Sequence, residues 1–411
     1  MLSEIKRRAF QVWQKLPWPA LILAGAFAVY GWLFVASFAL PRHTEWETLR
    51  LFEKNGSAFP MTANGWPVLS HLISHLFYLC GGWNIRAYLA LNYLLYIADM
   101  VLLYRLIVKS AGAYRYLPLF FIPFFSDLNA LNLMQTTALP VHLTVFFGLM
   151  AVEAGFHWQP SYKNSLLFLL FLILSVFSMN GIFAFGLFIG WAVMLLTRRN
   201  WQMVLGAALL LSIPFIISTA YIDGSFFADF TQLFRKAVIT CSAVLSGFDI
   251  ETDFHFILIL PVIGTLGYVL FQKRLWRDSD ALALYSVLLA VFLSVFCMMN
   301  APVQFPFLFI NAGAGFAVFM IPIVLTLLRV RRFIFIYSCF LCVLGYSAGF
   351  SYRVFRIEND FRQTTVQCAE EYFRGDKQSE ACQVLQDPYL PAVLDRAKAL
   401  NLNYFRTHVK K

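Results

Sequence analysis

Long apolar runs recur from one end of this chain to the other, each closed by a short polar turn. A helix that crosses about 30 Å of hydrocarbon needs roughly 20 mostly apolar residues, and about eleven stretches approach that length. They lie near residues 18–40, 86–108, 114–126, 138–156, 165–179, 181–197, 202–222, 254–272, 281–299, 307–328 and 333–350. Segment 114–126 and the pair 165–179 and 181–197 are short for the task. Ser178-Met179-Asn180-Gly181 reads either as a tight turn between two spans or as a break within one long one. Composition narrows the choice further. Of 411 residues 60% are hydrophobic and 13% charged, whereas a soluble domain carries about 25% charged side chains. Mean hydropathy is +0.68. Such a chain cannot cover a water-facing surface, which excludes a soluble enzyme, a disordered protein and a nucleic-acid partner despite the net charge of +10. The expected fold class is all-α: a polytopic membrane protein with transmembrane body 1–350, interfacial helices, and a small polar tail 351–411.

The distribution of charge tests this assignment independently of hydropathy. With the N-terminus in the cytoplasm, the inner segments collect sixteen of the 32 Lys and Arg, including Arg105, Lys109, Lys163, Arg198 and Arg199. They hold only four acids, Glu4, Glu153, Asp278 and Asp280. The outer loops before the tail reverse the balance, with six basic residues against nine acidic ones. That is the positive-inside pattern. The basic N-terminus followed by an apolar run resembles a signal peptide, but the run 18–40 is too long for one and reads as an uncleaved first span.

An odd number of spans places 351–411 outside the cytoplasm. Cys368 and Cys382 lie there, fourteen apart, and suit a disulfide in an oxidising compartment; two unpaired thiols are the alternative. Cys339 and Cys342 have the spacing of a metal or redox pair but sit inside an apolar run without further ligands, so they read as packing residues.

Polar groups in or just outside lipid are costly and therefore informative. The first outer loop, 41–85, follows directly on the first span. In it Thr44 and Glu47 form a capping box, and Trp46, Leu49 and Phe52 recur at helical spacing, which predicts an amphipathic surface helix with Glu45 and Glu47 at its start. A second short helix over 66–79 carries His71 and His75 on one face, four apart. That pair fits a metal only with a third ligand; a phosphate or sugar contact, or a plain interfacial helix, fits it as well. Asp99 lies about halfway along the second span, with Asn92, Asn311 and His142 as milder cases of buried polarity. Asp127, Asn129, Asn132 and Gln135 cluster between the third and fourth spans. Arg235 and Lys236, beside Phe227, Phe230 and Phe234, predict a surface helix that can meet an anionic head group. No phosphate-binding glycine loop, dinucleotide fingerprint, serine-hydrolase elbow or His/Cys zinc set occurs, and the two halves do not repeat one another.

A cytoplasmic N-terminus, an acid-bearing first outer loop with surface helices, a body of many spans and an extracytoplasmic C-terminal module together resemble the GT-C fold. The chain is similar to a set of bacterial membrane proteins of that type. The likeness is carried by Asn64-Gly65-Trp66-Pro67 through Gly81-Gly82-Trp83-Asn84, by Asn132-Leu133-Met134-Gln135 and by Phe177-Ser178-Met179-Asn180-Gly181. The ending, Asp387-Pro388-Tyr389-Leu390-Pro391 to Asn403-Tyr404-Phe405, belongs to it too. GT-C enzymes are integral-membrane glycosyltransferases that use polyprenyl-phosphate sugars. The resemblance implies a multi-pass protein of the bacterial inner membrane that transfers such a sugar to an envelope glycan such as O-antigen. GT-C enzymes do not all share one metal requirement, and since no convincing metal site is visible in the sequence, no metal or other cofactor is expected. It assigns the role of base to Glu45 or Glu47, which takes the proton of the acceptor hydroxyl. Arg42, His43, His71, His75, Asp127, Gln135, Arg235 and Lys236 become candidates for donor phosphate and substrate. Asn64-Gly65-Trp66 lacks a basic residue, so contact with the departing phosphate falls to Arg42, His71 or Arg235. Three other readings stay open: an envelope-polymer polymerase or ligase, a transporter or flippase of lipid-linked sugars that uses Asp99, and a body that has lost catalysis.

Overall fold

The computed structural model describes residues 68–81, 85–111, 138–157, 161–179, 181–219, 278–298, 363–376, 379–385 and 390–399. It also describes residues 4–5, 8, 11, 133, 319–320, 323, 326 and 360. The described residues are helical, with no strand among them. In chain order the helices are α1 (Val68–Gly81), α2 (Ile85–Ala111), α3 (Leu139–Gly155), α4 (Tyr162–Val176), α5 (Ile182–Thr197), α6 (Trp201–Thr219) and α7 (Ser279–Met298). The tail adds a helical stretch over 363–374, then α8 (Glu380–Leu385) and α9 (Leu390–Ala399).

Local chemistry sets the ends of these elements. The Ser161 hydroxyl accepts the Asn164 amide at 3.1 Å and starts α4. The Asp278 carboxylate accepts the Asp280 amide at 3.0 Å and starts α7. Pro140 occupies the first turn of α3, where its missing N–H costs nothing. Helix α5 ends at Arg199, which takes a left-handed φ of 60°, while the Asn200 amide reaches back to the Leu195 carbonyl at 3.0 Å. In the tail, Gly375 at φ 104° does the same job after residue 374 without the steric penalty that Arg199 bears.

Six of the expected spans coincide with α2 to α7; 18–40, 114–126, 254–272, 333–350 and most of 307–328 lie outside the described residues. Among the described residues one apolar stretch, Ala87–Ser110 at 24 residues, is long and apolar enough to cross a membrane by itself. Leu139–Gly155, Tyr162–Val176, Ile182–Thr197, Trp201–Ile216 and Ser279–Val295 are shorter apolar helices.

Side-chain register fixes which way neighbouring helices run. Phe168 of α4 stacks on Trp191 of α5 with ring centroids 4.5 Å apart, and both stand equally far from residues 177–181. The chain therefore reverses there: Ser178, Met179 and Gly181 lie at a turn between two helices, and the alternative of one broken span falls. Helices α3 and α4 are also antiparallel, since Ser175 donates to the Thr144 carbonyl at 2.9 Å while Gly155 lies against Phe168. Helices α2 and α3 run parallel: Tyr96, midway along α2, meets His142 near the start of α3, and Arg105 meets Glu153 toward the ends of both. Helix α7 crosses α5 in the opposite direction, with Gly186 against Ala290 and Gly190 against Ser286. A Cβ at Gly186 would stand 2.5 Å from the Cα of Ala290, so only glycine permits this approach. Alternating directions are what successive spans require.

The bundle has an apolar core, yet large apolar side chains are exposed on its outside as well. Leu205, Leu209, Ile213 and Ile216 form one face of α6 and are 55–65% exposed. Leu166 and Leu170 on α4 and Phe185 on α5 are exposed in the same way. Meanwhile Thr144, Ser175, Ser286 and Ser294 are fully buried. Their hydroxyls donate to helix carbonyls, three of them four residues back along their own helix, at 2.7–2.9 Å.

Candidate functional site

Because the helix directions are known, the bundle has two distinguishable ends. One gathers the starts of α2 and α3 and the end of α4; it is the end expected outside the cytoplasm. Helix α1 lies there, tied to the body by the Leu69 amide, which donates to the Phe177 carbonyl at 2.9 Å. The Tyr88 hydroxyl of α2 donates to the Ser74 carbonyl of α1, and its ring sits 5.0 Å from that of Phe77. This corrects the expectation that 66–79 merely lies on the surface. Leu76 and Leu79 face outward, but Ser70 and His71 are buried against the body.

His71 and His75 share the helix as expected. Burial holds His71 at a pKa of about 4, so it is neutral near pH 7. A neutral imidazole can hydrogen-bond a phosphate but brings no charge to it. Among the described residues no three metal-ligating side chains come together.

The tail docks on the same end. Cys368 and Cys382 are joined by a disulfide, with Cα atoms 4.8 Å apart. Cys368, Ala369, Tyr372 and Leu394 pack with Tyr88, Leu89, Leu139 and Leu143 in one apolar cluster. Inside the tail the Tyr372 hydroxyl donates to Asp395 at 2.9 Å, and Lys398 lies 4.8 Å from the centre of the Phe373 ring.

Between the ends, the seam of α2 and α3 carries Asn92, Tyr96, Asp99 and His142, all buried. The Tyr96 and His142 rings meet edge-on with centroids 5.9 Å apart. Asp99 is wholly inaccessible to solvent, and neither carboxylate oxygen accepts a hydrogen bond.

The opposite end is charged. Arg105 pairs with Glu153 at 3.0 Å, and Lys109 pairs with the same carboxylate. The Arg198 guanidinium donates to the His157 carbonyl at 2.7 Å and clamps the end of α5 to the end of α3. A cavity of about 200 Å³ opens beside them, with Leu106, Val152 and Phe156 as apolar wall and Lys109, Glu153, His157 and Asp280 as polar rim. Burial, then the neighbouring Asp278, holds the Asp280 carboxyl above its usual range. The sequence reading counted these side chains as topology signals and missed that they meet. The i, i+4 spacing of Arg105 and Lys109 was the available hint.

Glu45 and Glu47 lie outside the described residues, as do Arg42, His43, Asp127, Gln135, Arg235 and Lys236. The described candidates thus fall in two places: His71, His75 and the disulfide at the outer end, and Asp99 below them in the seam. No family model matches this chain, and neither a curated protein nor a solved structure matches it.

Proposed function

We propose that this chain is a polytopic protein of the bacterial inner membrane with about eleven spans of roughly 20 residues. In this reading it is a glycosyltransferase that moves a sugar from a polyprenyl-phosphate donor to an envelope glycan on the outer face. The observation that carries the membrane part is the set of large apolar side chains left exposed on α4, α5 and α6. An exposed apolar face as long as that of α6 marks a membrane or partner surface. Separation of the two ends supports the sidedness: ion-paired basic residues gather at one, and the disulfide-bearing tail packs on the other. The transferase part draws on the resemblance of the sequence to GT-C enzymes, and on the tail and the histidine helix meeting where such enzymes react.

The mechanism is direct displacement at the anomeric carbon. Glu45 or Glu47 takes the proton of the acceptor hydroxyl as the new carbon–oxygen bond forms, and polyprenyl phosphate leaves. Arg42 or Arg235 meets the departing phosphate, because His71 is neutral. The test uses purified protein in nanodiscs loaded with polyprenyl-phosphate hexose and extracted envelope polysaccharide. Release of polyprenyl phosphate should require the acceptor and vanish in folded Glu45→Gln or Glu47→Gln. Absence of release over a panel of donor sugars, with protein that stays monodisperse, would reject the reading.

A further inference from the structure

We propose that Asp99 is the proton-binding group of a polar site buried in the seam of α2 and α3, filled and emptied from the outer end by way of His142. The proposal needs the helical bundle and its sidedness, and it does not depend on the transfer reaction.

Three observations converge on it. The first is the contrast between Asp99 and the other buried polar groups of the bundle. Thr144, Ser175, Ser286 and Ser294 each donate to a helix carbonyl. Asp99 is equally inaccessible, yet both its oxygens lack a hydrogen bond, and no cation pairs with it among the described residues. A carboxylate buried without a partner is among the costliest arrangements a helix bundle can hold. A proton removes that cost, and it needs no space; no cavity described in the bundle reaches Asp99.

The second is the run of side chains along one face of α2. Asn92, Tyr96 and Asp99 follow at intervals of four and three, so all three lie on the buried face. His142 of α3 touches the Tyr96 ring. From Asp99 toward the outer end there is thus a polar group at nearly every turn, ending near Ser74, Tyr88 and His71.

The third is the absence of such a run in the other direction. From Asp99 inward, the buried residues of the seam are Met100, Leu103, Leu106, Ile107, Leu149 and Val152. Among the described residues of α2, Tyr104 is the one polar side chain between Asp99 and Arg105, and charge resumes at Arg105, Lys109 and Glu153 on the inner rim. Among the described residues, stepping groups thus follow one another on the outer side of Asp99, and a mostly apolar stretch lies on the inner side.

The groups that face Asp99 can be named element by element. Its own helix brings Tyr93 and Tyr96. Helix α3 brings His142 against the ring of Tyr96, one turn before Asp99. Helix α7 runs antiparallel to α2, and counting from the contact of the Ser110 hydroxyl with the Asp280 carbonyl brings Val291 and Ser294 to its level. None of these carries a fixed charge. The step is a simple transfer: the His142 imidazole takes a proton as an O–H bond of hydronium at the outer end breaks, and that proton then leaves the ring nitrogen as the O–H bond of the Asp99 carboxylic acid forms. Reversal returns it to the same side.

Infrared spectroscopy of the full chain in oriented, sealed proteoliposomes reads this directly. When only the outer pH is stepped, the wild type should show a carboxylic-acid carbonyl band that rises and falls with that pH. The band should be missing in Asp99→Asn and displaced in Asp99→Glu, which covers the case that one variant does not fold. His142→Phe, with unchanged helix content, should slow the response several-fold. A band that persists in Asp99→Asn and is unmoved in Asp99→Glu would overturn the assignment. A band from Asp99 that ignores the outer pH would make it a fixed structural acid and overturn the exchange. A response in His142→Phe as fast as in wild type would overturn the route.

Discussion

The two ends of the bundle are held together by different physics. At the outer end the tail is pressed onto α2 and α3 by an apolar cluster and internally stapled by the Cys368–Cys382 disulfide. At the inner end the same helices are joined by Arg105 and Lys109 sharing Glu153, with side chains that stay partly in water. Apolar contact and a covalent bond are indifferent to salt, whereas a solvated ion pair is screened by it. Each fastening suits its expected compartment: an oxidising one outside, and an inner surface where basic side chains accumulate. The outer end should therefore respond to reductant and to acid, and the inner end to ionic strength.

The largest effect expected is at the disulfide. Its removal by Cys368→Ser frees a fourteen-residue loop, and loops of that size contribute about 3 kcal/mol. Limited proteolysis should then cut within 363–385 first, with the inner end unchanged. Equal loss of protection at both ends would show that the two fastenings are one cooperative unit.

Acid is the next lever. His71 has a folded pKa of about 4 against an ordinary 6.5, so between those values the unfolded chain holds a proton that the folded chain does not. Stability is thus complete above about pH 6.5, falls as pH drops toward about 4, and levels below that. His71→Gln should flatten the part of a thermal-stability profile that lies in this window. A profile identical to wild type would place the buried imidazole elsewhere.

The inner ion pairs are weaker. Arg105 and Lys109 are exposed enough for solvent to screen them, so Glu153→Gln should cost only about 1 kcal/mol. That cost should shrink as salt is raised, which a melting series checks; a salt-independent loss would mean that the carboxylate acts through packing. Smallest is a gain: Arg199→Gly relieves a left-handed residue at the end of α5 and should add about 0.5 kcal/mol.

Much of this architecture was legible in the residues. Apolar runs marked α2 to α7 to within a few positions, and the cysteine pair in the tail stood out because every other polar stretch is short. What could not be read was contact between runs. Hydropathy is blind to register, so it could not tell that Glu153 meets both Arg105 and Lys109, or that the tail covers Tyr88. The same blindness left His71 open as a phosphate or sugar contact: its i, i+4 spacing with His75 is visible in the sequence, but its burial depends on a partner surface built by α2 and α3. Ser178 to Gly181 was ambiguous for a related reason. Both a turn and a break satisfy the local sequence, and only Phe168 on Trp191, twenty-three residues apart, decides between them. Asp99 was the opposite case, visible at once because a lone carboxyl in an apolar run has no local explanation.

The central claim is that the two ends face opposite sides of a membrane, and thiol labelling tests it most directly. Cys80 is a free, exposed thiol on α1, and Lys163, at the start of α4, is exposed at the other end. With Cys241, Cys297, Cys339 and Cys342 replaced by Ser, a membrane-impermeant maleimide added to intact spheroplasts should label Cys80. In the same background with Cys80→Ser and Lys163→Cys, labelling should require permeabilised membranes. Labelling of both positions from the same side would contradict the account.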